Sequence, residues 1–155
     1  MASFTTLFSG SSGNASYFAS DSGGILIDIG RSCKQMCLSL ALIGVDPSSI
    51  GAVFVTHEHT DHIAGLRVFC SRYHTPVYAT SGTLDALDSA GVLKGDFDVY
   101  AVKGSTDICG MNIRDFRTMH DSRESCGYTV TFENGKKASY CTDLGVVTDE
   151  VYSAV

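Results

Sequence analysis

A continuous apolar run, Ala52-Val53-Phe54-Val55-Thr56, leads without a break into His57-Glu58-His59-Thr60-Asp61-His62, and no other stretch restricts the fold as tightly. Four consecutive apolar side chains suit a strand covered on both faces, the usual state of a parallel strand in a helix-covered sheet. The polar segment that follows lies beyond the carboxyl end of that strand, where open α/β sheets build their sites. His57 and His59 are two apart, so an extended backbone points both imidazoles to one side, and Glu58 to the other. Asp61 and His62 begin a helix, whose change of direction lets their side chains converge on the same space. Three imidazoles and a carboxylate within six residues have little structural use, and together they are the donors that suit zinc and other borderline divalent metals.

The rest of the chain reads as alternating strands and helices around this segment. Residues 3–8 and 15–19 are β-formers on either side of Ser9-Gly10-Ser11-Ser12-Gly13-Asn14, which predicts a hairpin. Gly24-Ile25-Leu26-Ile27-Asp28-Ile29-Gly30 reads as a strand. Ser32 can cap a helix running to Leu42, with Leu38 and Leu42 toward the core and Gly44 closing it. A helix from Asp61 to Tyr73 with Thr60 as its cap is expected next, then a strand over Val77–Ala79, then a helix capped by Ser81 and ended by Gly91. Strands are expected over residues 97–102, 112–119, 127–132 and 138–142, with Asn134-Gly135 turning the last pair. The expected fold class is a mixed α/β sheet carrying helices, in one domain over residues 1–155.

Two distant residues fit the same geometry as the histidine segment. His120 follows one predicted strand and Asp143 another, as His57 follows its own. Ligands at one end of adjacent strands can meet at a point, which raises both above the loop histidine and helix cap they would be alone.

Composition sets outer limits. The chain is 44% hydrophobic and 18% charged, a globular balance, and no apolar run reaches the length of a membrane span. The N-terminus lacks the basic and apolar regions of a secretory signal, so a soluble cytoplasmic protein is expected. The six cysteines have no framework spacing and are read as reduced structural thiols. A net charge of −6 without a basic stripe argues mildly against tight binding of long nucleic acid, although bound cations can reverse the local field. Neither serine chemistry nor a phosphate loop fits Gly10–Gly13, because a strand follows the turn, no helix or lysine does, and no nucleophile elbow forms.

The ordered blocks HxHxDH (57–62), His120 and Asp143 resemble the metallo-β-lactamase-fold hydrolases. The opening SGSSGN, the strand ILIDIG and the blocks MHDS and CTDLG are similar to the YycJ/WalJ-like branch of that superfamily. The likeness covers essentially the whole chain. It implies an αββα sandwich and a two-metal site. His57, His59 and His120 would hold one zinc ion, Asp61 and His62 a second, and Asp143 would bridge them. Manganese or iron are alternatives to zinc. The same resemblance implies a hydroxide shared by the metals, oriented by Asp61, attacking a phosphodiester, with Asp61 and His62 as the catalytic residues. Asp28 and Asp121 are candidates for orienting imidazoles, or plain turn residues. The family's final histidine has no counterpart after Asp143, and His74 lies elsewhere, so the chain corresponds to about the first half to three-fifths of the family's domain. That implies a single exposed sheet face, and with it a homo-oligomer or a partner chain supplying the missing half. A thioester or lactone hydrolase, or a metal- or partner-binding fragment without turnover, are the competing functions.

Overall fold

The computed structural model describes residues 2–155, and it places two sheets face to face with helices on the outer side of the first. The first sheet has six strands in chain order: β1 (Ser3–Phe8), β2 (Ala15–Ser20), β3 (Gly23–Ile27), β4 (Ile50–Phe54), β5 (Val77–Ala79) and β6 (Val99–Ala101). The first three pair antiparallel and the rest parallel. Each parallel step is bridged by helix: α1 (Cys33–Leu42), then α2 (Thr60–Ile63) with α3 (Leu66–Tyr73), then α4 (Ser81–Ser89). The second sheet orders β10 (Lys137–Tyr140), β9 (Cys126–Phe132), β8 (Met111–Arg117) and β7 (Ser105–Ile108), all antiparallel.

Strand alternation divides the core in two. Leu26, Val53 and Val55 face the helices, where Met36, Leu40, Leu66, Phe69 and Leu87 pack on them. Ile25, Ile27, Ala52 and Phe54 face the second sheet and meet Met111, Ile113, Tyr128, Val130 and Phe132. The apolar run before the histidines is therefore covered on both sides, as its pattern predicts. A short α5 (Asp149–Ala154) lies against β8 through the buried Val151, which makes the layer order α, β, β, α.

The structure corrects several sequence expectations. No bare sheet face replaces the second layer: β7–β10 cover the first sheet, and the outer positions of β8 and β9 include Asn112, Arg114, Thr129 and Thr131. Leu38 and Leu42 point to solvent, 58% and 88% exposed, and the buried stripe of α1 is Cys33, Met36 and Leu40. Those three follow the spacing i, i+3, i+7 of one helical face, and Leu42 lies two residues past Leu40, on the far side. The helix expected over 61–73 breaks at Gly65, whose N–H leaves the helix to donate to Ile29 O at 3.0 Å. A Cβ at Gly65 would come within 2.1 Å of Arg31 O, so the break demands glycine. His59, not Thr60, is the N-cap of α2, and Thr80, not Ser81, caps α4. The strand over 97–102 shrinks to Val99–Ala101, and the one over 112–119 begins at Met111 and ends at Arg117. β7 and α5 have no counterpart in the sequence reading.

Other expectations agree with the structure. Ser32 forms a full capping box with Gln35. Gly44, at φ +74°, ends α1 with hydrogen bonds from Gly44 N to Ala41 O and from Val45 N to Leu40 O. All six cysteines are free thiols. Among the described residues no helix is long and apolar enough to cross a membrane.

Candidate metal centre

The site forms where the carboxyl end of β4 meets the start of β9. Cys126 N donates to Thr56 O at 3.1 Å, and the Tyr128 hydroxyl donates to Val55 O at 2.8 Å, so the two sheets are tied together at the mouth of the histidine segment. His120 comes from the loop between β8 and β9. Asp143 follows β10 in a left-handed conformation (φ +53°), and Gly145 N donates to Met119 O, which draws the Asp143 segment alongside His120.

Two groups of side chains that could hold a metal ion result. One nitrogen each from His57, His59 and His120 lie within 4.8 Å of one another, and the same holds for His57, His62 and an Asp143 carboxylate oxygen. His120 Nε2 is 3.1 Å from His59 Nδ1, and His62 Nε2 is 3.0 Å from Asp143 Oδ2. Asp61 Oδ2 lies 3.6 Å from His62 Nε2. Donor atoms sharing one tetrahedral zinc are about 3.3 Å apart, given bonds of roughly 2.0–2.1 Å. The spacing suits a small cation.

The electrostatics fit the same reading. His57 is 2% exposed, and its Nε2 is buried without a hydrogen-bond partner. Burial, and then the neighbouring His62, His59 and His120, push His57 down to about 3, so it is neutral at physiological pH with a lone pair to offer. A buried acceptor with nothing to accept from is costly, and a divalent cation removes that cost. His62 moves the other way. Burial opposes charge on it, but the hydrogen bond and charge of Asp28, with Asp61 and Asp143 behind, outweigh burial and raise it.

Asp28 organises this corner from outside the ligand set. It is fully buried at φ +63°. Its Oδ1 accepts from Thr56 N at 2.8 Å and its Oδ2 from the Thr56 hydroxyl at 2.9 Å. Asp28 Oδ2 also faces His62 Nδ1 at 2.7 Å, which fixes the proton on Nδ1 and leaves Nε2 toward Asp143. Thr56 Oγ1 lies 3.0 Å from His57 Nδ1, so one carboxylate steadies two imidazoles. Asp121 is different: its Oδ1 is 3.2 Å from His120 Nδ1, but the side chain is 87% exposed. His74 is the left-handed C-cap of α3, paired with Asp96 at 3.2 Å away from this cluster.

Sequence reasoning missed Asn14, reading it as a turn residue. It is buried, and its Nδ2 is 3.1 Å from His62 Nε2 and 3.3 Å from Asp61 Oδ2. Asn14 Nδ2 also reaches Gly10 O, so the first hairpin's loop is fastened to the site. Gly30 makes this approach possible: a Cβ there would meet Asp61 O at 1.7 Å and Asn14 N at 2.4 Å. No local pattern marks Asn14, because its partners lie 47 and 48 residues away.

Residues 24–155 match the family model described as the beta-lactamase superfamily domain. The chain belongs to that superfamily. It is 33% identical to a Bacillus anthracis protein named exodeoxyribonuclease YycJ and 31% identical to exodeoxyribonuclease WalJ of Streptococcus pneumoniae. Both matches cover 98% of this chain and 58% of the relative, so the chain spans a little over half the length of these curated relatives. Among solved structures, a Cronobacter sakazakii metallo-β-lactamase superposes with a TM-score of 0.72 at 17% identity, covering 91% of this chain and 67% of that one. That likeness speaks for the metallo-β-lactamase fold alone.

Proposed function

We propose that this superfamily chain is the metal-binding part of a zinc-dependent phosphodiesterase that degrades DNA as an exonuclease. The observation that carries the reading is the near-complete match, over 98% of the chain, to two proteins named exodeoxyribonucleases. The converging imidazoles and carboxylates support it chemically. His57, His59 and His120 would hold one ion; Asp61 and His62 would hold a second, with Asp143 between the two. Zinc suits these donors best, and manganese or iron would also be accepted. When bound, such cations polarise a phosphoryl oxygen and make a water acidic enough to attack at neutral pH. The chain's own part is orientation. Asn14 Nδ2 donates to Asp61 Oδ2, which leaves the other oxygen of Asp61 to align the attacking water. His62, its Nδ1 proton held by Asp28, turns the lone pair of Nε2 toward Asp143 and Asn14, where an ion would displace the Asn14 contact.

The proposed place of work is the bacterial cytosol, where such a DNA substrate is at hand. Self-association, or a partner chain, is part of the proposal. Met119, Val146, Val147, Tyr152 and Val155 are large apolar residues left between 52% and 79% exposed in the last third of the chain.

The test is degradation of single- and double-stranded DNA by the purified, zinc-loaded chain, with its mass in solution measured by light scattering. Release of nucleotides by the wild type and its loss in His59→Ala is the expected result. Equal turnover by the variant would mean a contaminant, and no turnover by protein that does bind zinc would favour a binding fragment.

A further inference from the structure

Glu58 stands between two ligand histidines, and an extended backbone turns it away from them. It is not idle there. Its Oε1 accepts from Arg123 N at 2.8 Å, and its Oε2 is buried with no partner. Arg123 belongs to the same loop as His120. That loop therefore straddles the histidine segment, with the His120 imidazole on the ligand side and the Arg123 N–H on the opposite side. Its base is closed by Thr118 N to Ser125 O and by the Ser125 hydroxyl to Thr118 O at 3.0 Å. Its far edge is fastened to α4, where Thr80 and Thr83 hydroxyls donate to Glu124 O and Gly82 N donates to Glu124 Oε2. Glu124 thus lies at the N-terminal end of α4, where the helix dipole favours a carboxylate. Of these anchors, only Glu58 links the loop directly to the segment that carries His57 and His59.

From this juxtaposition we propose that Glu58 is a positioning residue: by holding the backbone at Arg123 it sets His120 against His59, and so determines how tightly the three-histidine group binds its cation. The idea rests on the metal-binding reading of the site and adds to it a residue that is neither ligand nor acid–base group. A hydrogen bond from a backbone N–H to a charged acceptor is shorter and stronger than a neutral one, and it fixes the loop without touching the ion. The buried, unpartnered Oε2 marks Glu58 as a group kept for what Oε1 does, since an unsatisfied carboxylate oxygen is itself a cost.

The experiment is a double-mutant cycle read by zinc affinity, from competition with a chromophoric chelator, on the full chain. Glu58→Ala and Glu58→Asp, the second too short to reach Arg123 N, are expected to lower affinity about tenfold, the lower end of what outer contacts to ligands contribute. Glu58→Gln keeps an oxygen acceptor and is expected to restore most of it. In a His120→Ala background the Glu58 substitutions should change affinity no further, because the residue they act through is gone. Thermal melting of the metal-free variants checks that each remains folded, and Glu58→Asp and Glu58→Gln keep the comparison open if Glu58→Ala does not. Equal losses in both backgrounds, or no loss in either, would overturn the proposal while leaving the metal site standing. A wild-type chain that binds no zinc would remove the metal reading itself.

Discussion

Asp28 tests how far a single buried carboxylate supports the site. Its three contacts, to Thr56 N, the Thr56 hydroxyl and His62 Nδ1, are all 2.9 Å or shorter. Asparagine tolerates the left-handed backbone at this position, so Asp28→Asn removes charge without adding strain. Denaturant titration of the metal-free variant should show a loss of about 1.5–3 kcal/mol, the range for hydrogen bonds to a charged group. Zinc affinity should fall by roughly 10–100-fold through His62. An unchanged affinity would mean that Asp28 serves only the turn. Legibility at this scale followed distance along the chain. The six residues from His57 to His62 carry their geometry in their own spacing, and Asp28 was visible because it ends a readable strand. Asn14 was not, because what it does is decided by Asp61 and His62 across the molecule. Glu58 was readable in direction from strand alternation, but its partner, the backbone of Arg123, has no side-chain signature.

At the scale of elements, sequence patterns located the helices better than their faces. The end of α1 is specified locally by Gly44, but Leu38, Leu40 and Leu42 are chemically alike and only packing separates them. Leu40→Ala should cost about 2–5 kcal/mol by opening a cavity in the buried cluster it shares with Val53 and Phe69, whereas Leu42→Ala, like other surface changes, should stay within about 0.5 kcal/mol. Paired denaturant midpoints at constant slope would check it, and equal costs would mean that α1 is rotated. β7 escaped notice for a related reason. Ser105-Thr106-Asp107-Ile108 has little apolar alternation, and it becomes a strand because β8 offers it an edge. The second sheet's coverage of the first was hidden in the same way, since the order β10-β9-β8-β7 is set by which strands find each other and not by composition. The long helix after His62 failed at Gly65, where the deciding contact is a carbonyl oxygen of Arg31 more than thirty residues earlier.

The whole molecule is two sheets, and the candidate metal centre draws its residues from both. His57 and His59 follow a strand of the first sheet, while His120 and Asp143 follow strands of the second. A cation held by both groups would therefore cross-link the layers, in addition to the hydrogen bonds from Cys126 N and the Tyr128 hydroxyl. Because the ligands come together only in the folded chain, binding adds to stability by mass action, about 2.7 kcal/mol at a hundredfold excess over Kd. For a domain of this size that corresponds to a rise in Tm of roughly 5–10 °C. The six free thiols complicate zinc, because an unfolded chain offers them as soft ligands and reduces the gain. Manganese, a harder ion with little preference for thiolate, avoids that competition, at the cost of weaker binding to imidazole. Calorimetry with each ion, reversed by chelator, should show an increase in the wild type and none in His57→Ala, whose lost imidazole is shared by both ligand groups. The same increase in the variant would put the stabilising ion somewhere other than between the sheets.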